Sequence, residues 1–395
     1  MMKRVGIKQQ PWLRDAAARR RDTMQQQRQA RRDLAAHARR LAGGEESEAV
    51  TESETEGMAD IETKQLSKKK TREERVKRRR EHFNKQLMIP EWMGDVPLDL
   101  NGKGSTMGEG WYVVPRPEGK RCLVVTNSGV TIARTQSGSI FKKFPSALPN
   151  GSRKTTASTE AYCILDCIFH GHDSTFYVLD VMCWKGYLLY NCTTEFRWYW
   201  LRDKLAEGNA GEYSSSNPCR FLPLPCYECD EQGILDAYNT TFPFIKDGLL
   251  FYTKAAHYEL GLTPLVVLWK DAMTSRYYQS TTDRPNIILR LDGDRHFSTL
   301  EGVVLLTAEQ PFLDENELTE GDLVKFSFDP RYFGHDTNPH LLGLALTSRC
   351  SPQRALADSW TKIVFQYYAL SGGIPINQLI EAARDGPVID ASMES

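Results

Sequence analysis

The clearest hydrophobic pattern in the chain lies between Thr241 and Lys270, TFPFIKDGLLFYTKAAHYELGLTPLVVLWK, where two apolar runs, Leu249–Tyr252 and Leu265–Leu268, predict two buried strands joined by a loop. Upstream, GWYVVPRPEGKRCLVVTNSGVTIARTQSG reads as strand, turn, strand, turn, strand, and its runs of Val, Leu, Cys and Ile suit strands covered on both faces. A second set follows, Cys163 to Phe169 and Phe176 to Trp184, separated by a turn at HGHDS and closed by Gly186, and then EFRWYWLRDKL reads as a helix. Beyond Ser275, IILRLDGDRHFSTLEGVVLLT, ELTEGDLVKFSF and HLLGLALTS are strand candidates, while ALADSWTKIVFQYYAL and INQLIEAA read as helices. The first forty residues differ. PWLRDAAARRRDTMQQQRQARRDLAAHARRLA is rich in helix-forming Ala, Arg and Gln and stops at Gly43 and Gly44, yet its apolar face is thin, with Leu34, His37 and Leu41 at helical spacing. Such a helix has no core of its own to pack on and is expected to be stable only against a partner.

Charge sharpens this division. The net charge of −1 hides blocks: residues 1–42 hold twelve Lys or Arg against three Asp, 44–62 hold eight acidic residues and no Lys or Arg, and 68–80 hold nine basic against two acidic. Blocks of like charge without apolar residues do not pack, so 43–82 is predicted to be a disordered linker. The basic helix points to an acidic protein surface or to nucleic acid. KKKTREERVKRRR reads as a solvated helix, with an import signal or an RNA contact as alternatives, and NGKGSTMGEG as a flexible insertion. Nine irregularly spaced cysteines without an apolar leader predict a reducing compartment and free thiols, and the single C-x-x-C, Cys226 and Cys229, has no second pair to complete a zinc ribbon. No apolar run reaches the roughly eighteen residues that a membrane span needs. No metal, cofactor or membrane partner is expected.

The chemistry centres on the 241–270 stretch. Asp247 and Gly248 open the first run, and Trp269 with Lys270 closes the second. A flat ring to stack on a base, a cation near phosphate and a closely approaching backbone are the parts of a nucleotide site. The competing reading is two core strands whose last tryptophan only packs.

Several segments resemble the snurportin family, adaptors that carry capped spliceosomal ribonucleoproteins into the nucleus. RRRDTMQQQRQARRDLAAHARRLA resembles its importin-β-binding segment, and FNKQLMIPEWMGDVPLDL, AYCILDCIF, YVLDVMCW, FPFIKDGLLFY and TPLV follow in the family's order, so the likeness covers roughly 10–42 and 83–275. The resemblance implies an α+β architecture with a twisted, largely antiparallel sheet: an importin-β-binding helix over 8–42, the linker 43–82, a trimethylguanosine-cap-binding domain over 83–280 and a C-terminal extension over 281–395. That extension is expected to be a small oligonucleotide-binding-type barrel, an add-on packed against the preceding sheet, or a loose tail. The implied partners are trimethylguanosine-capped small nuclear RNA with its proteins, importin-β, and an exportin for recycling, and the implied location is both cytoplasm and nucleus.

The domain also resembles the guanylyltransferase and ligase superfamily, with RPEGKR where that superfamily carries K-x-D-G-x-R, DGLLF at a later strand motif and LWK at its closing lysine. The nucleophile's position is Arg116, whose guanidinium has no lone pair to attack phosphate, so the chain is expected not to be an enzyme. The rivals are an active RNA guanylyltransferase with a relocated lysine and an adaptor that has lost cap binding. By the resemblance Trp269 stacks on the methylated base and Trp111 lies beside the cap. The family's spacing puts the stacking position at Leu268, so a bulge is needed for Trp269 to serve. Lys120, Arg121, Lys142, Lys143, Arg153 and Lys154 are the candidates for the triphosphate, Arg121 first, with Asp247 and Lys270 completing the site. Arg19, Arg20, Arg21, Arg28, Arg31, Arg32, Leu34, Arg39, Arg40 and Leu41 are the implied importin contacts.

Overall fold

The computed structural model describes residues 15–30, 34–43, 82–103, 110–156, 158, 160–278, 285–328, 343–351, 356–370 and 372–385. Residues 44–81 of the predicted 43–82 linker, residues 104–109 of the glycine-rich insertion, and the predicted importin contacts Arg31 and Arg32 lie outside them.

Two sheets form the body of the chain. The first contains β1 (Met88–Trp92), β2 (Trp111–Pro117), β10 (Tyr227–Glu228), β11 (Lys246–Thr253) and β12 (Gly261–Trp269), in the order β1-β12-β11-β2-β10. The second contains β3 (Lys120–Asn127), β4 (Val130–Thr135), β5 (Ile140–Phe144), β6 (Cys163–His170), β7 (Thr175–Trp184) and β8 (Tyr187–Leu188), in the order β5-β4-β3-β6-β7-β8, with β9 (Arg220–Pro223) joined to β7. The pairings are antiparallel except β1 with β12 and β7 with β9.

Strand parity explains the continuous apolar runs. Val114, Leu250, Tyr252, Val266 and Leu268 face the second sheet and meet Leu123, Val125, Ile164 and Ile168 there. Their alternates Trp111, Val113, Leu249, Phe251, Val267 and Trp269 point outward, and are covered by α4 (Glu231–Asn239) and α7 (Ile376–Asp385). On the far side of the second sheet, Cys122, Val124, Cys163 and Leu165 pack against Leu201 and Leu205 of α3 (Thr194–Glu207). The C-x-x-C is split between cores, Cys226 against the inter-sheet core and Cys229 in the outer one.

A buried ion pair ties α3 to β7. Arg197 and Asp180 are both 0% exposed and joined by two hydrogen bonds of 2.7 Å, and the guanidinium also donates to the carbonyls of Cys192 at 2.5 Å and Ala256 at 2.9 Å. Burial works to raise the Asp180 carboxyl against the pull of Arg197.

The basic N-terminus departs from the expectation of a helix without a core. It forms α1 (Ala16–Gln29) and α2 (Leu34–Gly43), both docked on the chain's own domain. Met24 of α1 is buried against Ala256 and Leu265, Gln27 donates to the Ala255 carbonyl at 3.2 Å and accepts from the His257 amide at 3.0 Å, and Arg19 pairs with Glu91 at 2.7 Å. In α2, Ala38 and Leu41 enter the inter-sheet core, with Leu34 packed beside them. The few apolar residues suffice because each meets a slot already lined by the sheets. Of the predicted importin contacts, Arg19, Arg20, Leu34 and Leu41 therefore engage this domain, while Arg21, Arg28, Arg39 and Arg40 are exposed.

The C-terminal third has its own core and also completes that of the body. Strands β13 (Asn286–Leu291), β14 (His296–Ser298), β15 (Val304–Thr307), β16 (Leu323–Ser327) and β17 (Ala345–Arg349) form an antiparallel sheet in the order β15-β14-β13-β16-β17, with the short helix α5 (Gln310–Glu315) beside it. Among the described residues its edges β15 and β17 are not paired with each other, so the sheet stays open. Helix α6 (Trp360–Leu370) contributes Trp360 and Ile363 to this core and packs on β1, and α7 covers the first sheet.

Candidate functional site

The site begins at a break in the β1–β12 ladder. The register jumps from Pro90 opposite Thr263 to Glu91 opposite Val267, and Pro264 follows Thr263 in the skipped stretch. Proline has no N–H to donate, so a ladder tolerates it at such an interruption. Beyond the break Trp92 lies beside Leu268, and both line a cleft of about 680 Å3. Ile89, Pro90, Arg116, Lys120 and Arg121 complete its floor. The turn between β4 and β5 forms one side with Thr135, Gln136, Ser137, Ser139, Ile140 and Phe141. The opposite side comes from the C-terminal third, through Leu300, the segment Leu356–Ser359 and Lys362.

The two predicted tryptophans point away from this cleft. Trp269 is 0% exposed, its indole Nε1 donates to the Ile374 carbonyl at 2.9 Å, and it packs in the outer core under α7. Trp111 is 1% exposed in that core and donates to Asp99 at 3.1 Å. The reason is pleat parity: Leu268 pairs with Leu250 on the inner face, so its neighbour Trp269 must point outward. No bulge intervenes between them, and in this arrangement neither Trp269 nor Trp111 offers a face to a ligand. Two aromatic residues line the cleft, Phe141 and Trp92; Trp92 is partly buried, with the Phe365 ring centroid 4.9 Å from its own and the Lys270 and Lys362 ammonium groups 5.5 and 5.9 Å from its ring. Its sequence signal was the tryptophan in IPEWM; strand length and composition do not say which pocket such a ring enters.

The structure disperses the basic residues that the sequence put near the site. Arg116 and Lys270 both pair with Asp247, to which Ser275 also donates at 2.6 Å. Burial would raise the Asp247 carboxyl, but Arg116 and Lys270 together hold it below the usual carboxylate range. Burial and then the Arg116 charge push the Lys270 ammonium down to about 8, against the pull of Asp247. The ladder can close over this cluster because Gly248 lacks a side chain: a Cβ there would stand 2.6 Å from the Trp269 carbonyl oxygen. Arg121 borders the cleft but is turned inward. Its Nε and Nη2 bond Asp166 at 3.0 and 2.6 Å, Nη2 also reaches the Met88 carbonyl at 2.5 Å, and Tyr258 donates to Asp166 at 2.8 Å. Arg121 thus ties β3 to β6 and β1, and only Nη1 is left for a phosphate. Lys120 stands in the cleft 4.3 Å from the centroid of Phe141.

Lys142 rests against Phe169 and Phe144, at 5.0 and 5.7 Å. Lys143, Arg153 and Lys154 line a separate groove at the other end of β5. The structure does not bring these three to the cleft. Glu118 is engaged by Arg276 and, at 2.9 Å, by the Tyr277 hydroxyl. A Cβ at Gly119 would lie 2.4 Å from the Phe169 carbonyl oxygen, which explains the glycine in RPEGKR without a ligand. The Arg116 guanidinium is therefore locked to a carboxylate, and Asp166 and Asp180 are both consumed by arginines. What remains is a cleft with an aromatic ring, apolar walls and lysines at both sides, suited to holding a planar anionic ligand.

Among solved structures, the chain is similar to a mycobacterial DNA ligase D complexed with ATP and MES, at 12% identity and a TM-score of 0.33, covering 69% of this chain and 98% of that one. It is also similar to the ATP-dependent DNA ligase from bacteriophage T7 in complex with ATP, at 10% identity and a TM-score of 0.32, covering 68% of this chain and 99% of that one. Likeness of that degree says nothing of activity. The family model described as Snurportin1, m3G cap-binding domain, matches residues 86–271, which include β1, β12 and the floor of the cleft. Those residues belong to the snurportin m3G-cap-binding domain family.

Proposed function

We propose that this protein is a nuclear import adaptor that binds the trimethylguanosine cap of spliceosomal small nuclear RNAs, links the ribonucleoprotein to importin-β and shuttles between cytoplasm and nucleus. The observation that carries the cap site is Trp92 beside Leu268 in the cleft of the matched domain. Methylation at the seventh position gives the guanine a delocalised positive charge, so a tryptophan face adds about 0.5–2 kcal/mol of cation–π attraction to stacking. The dimethylated amine has no donor left, and Ile89, Leu268, Ile140 and Leu356 present apolar surface where an acceptor would stay unpaired. Lys120 supplies charge for the triphosphate. Arg116 supports a binding rather than a catalytic role, because a guanidinium held by Asp247 cannot form a lysyl-nucleotide.

The link to importin-β rests on α1 and α2, whose Arg21, Arg28, Arg39 and Arg40 are exposed. A receptor that encloses the helices must lift them from the domain they cover here. Fluorescence quenching by trimethylated and monomethylated cap dinucleotides at equal salt tests the cap site: tighter binding of the trimethylated form is expected, and equal or absent binding of both would overturn it.

A further inference from the structure

We infer that the C-terminal third is the second half of this cleft, and that Lys362 holds the phosphates on the far side of the cap guanosine, those of the triphosphate bridge and the first nucleotide of the RNA. The inference rests on the cap-binding reading and adds a subsite from a region outside residues 86–271.

The wall is built, not incidental. The Trp92 amide donates to Thr361 Oγ1 at 3.2 Å, so the first turn of α6 is fastened to the strand that carries the ring. That turn is oriented by the Glu301 carboxylate, which accepts from the Trp360 amide at 3.0 Å. Asp358 is fixed from three directions: its amide donates to the Ile288 carbonyl at 2.7 Å, its carboxylate accepts from the Ile288 amide at 3.0 Å, and its carbonyl accepts from the Leu300 amide at 2.9 Å. Asp358 in turn holds the Lys362 ammonium at 2.8 Å. A lysine so anchored, 5.9 Å from the Trp92 centroid, has its charge where the phosphates of a nucleotide stacked on that ring would leave the cleft.

Charge distribution favours phosphate over a second base at this wall. Arg121 spends Nε and Nη2 on Asp166 and the Met88 carbonyl and Arg116 is held by Asp247, whereas among the described residues the Lys362 ammonium has a single carboxylate contact, to Asp358, for its three donors. The amines bordering the cleft are Lys120 on the hairpin side and Lys362 on the C-terminal side. A bridge of several phosphates between these sides meets both. A mononucleotide does not extend that far, so Lys362 should distinguish ligands by length beyond the cap base and not by its methylation.

The test uses the full chain and three ligands: trimethylguanosine monophosphate, the trimethylated cap dinucleotide and a trimethyl-capped ten-nucleotide RNA. Lys362→Ala is expected to leave the monophosphate unchanged, weaken the two longer ligands about five- to twentyfold, and lower the slope of log affinity against log salt for the RNA by about 0.7, the loss of one single-strand phosphate contact. Lys362→Arg should restore most of the affinity, and melting curves of both variants report whether the wall still folds. Equal weakening of all three ligands, failure of the arginine to rescue, or unchanged RNA binding at low and high salt would each overturn the subsite. Should the unmodified protein bind the dinucleotide while Lys362→Ala matches it, the subsite fails and the cap site stands; should the unmodified protein bind none of the ligands, both fail.

Discussion

Trp269→Ala and Trp92→Ala should separate stability from binding. Trp269 is fully buried, loses a hydrogen bond to Ile374, and packs among Trp111, Val267 and Leu379, so its removal opens a cavity between the first sheet and α7. Truncations of this kind cost about 3–5 kcal/mol of stability. In a chain of this size that shift lowers the melting temperature by several degrees without changing the affinity of the molecules that remain folded. Trp92 is partly buried and makes its main ring contact with Phe365, so its truncation should cost less stability, about 1–2 kcal/mol. For binding the order reverses: loss of stacking and cation–π attraction at Trp92 removes about 2–3 kcal/mol, a thirty- to hundredfold drop in cap affinity. Both variants would be measured by thermal melting and by cap titration at a temperature where circular dichroism shows each folded. If folded Trp269→Ala lost cap binding while Trp92→Ala retained it, the parity argument would be wrong and the base would stack on the face now covered by α7.

Replacing Arg197 with Met should destabilise the chain by about 3–5 kcal/mol in urea melts, because Asp180 would be left charged and unpaired in the core, whereas the double change to Met and Leu should recover much of the loss. Lys270 binds its proton less tightly folded than unfolded, so between about pH 8 and 10.5 the unfolded chain holds more protons and stability gains with rising pH. Relative to Lys270→Met, this group's contribution should rise by about 2–3 kcal/mol across that window and be flat below it; a difference that falls with pH would refute the assignment. Glu91→Ala removes a partner of Arg19, and hydrogen exchange across residues 16–29 should accelerate severalfold; under the proposed adaptor role, importin-β should then capture the chain more tightly. Unchanged exchange would mean that the other contacts of α1, those of Met24, Gln27 and Arg20 among them, suffice to hold it.

The sequence by itself determined most of the elements and the family. Val, Leu, Cys and Ile runs bounded by Gly and Asn mark β2–β4, β6, β7, β11 and β12 because a strand covered on both faces must be apolar throughout, a property local to each run. The inability of Arg116 to attack phosphate was equally local, since it concerns the chemistry of one side chain. What only the tertiary structure decided is direction. Whether Trp269 or Leu268 meets the cleft depends on pairing with Leu250 and on a ladder break at two prolines, one of them over 170 positions away, and a single-residue slip exchanges the faces. Arg121 turned inward because Asp166 and Met88, distant in the chain, offered it acceptors at the strand junction. The basic helices found cover on the sheets, which their own composition could not reveal. Lys362 reached the cleft because α6 packs on β1, through the Trp92 amide on Thr361 and the Phe365 ring against Trp92. Each of these outcomes rests on a contact between residues far apart in sequence, and local pattern carries no information about which distant group will fill a given hydrogen bond or pocket.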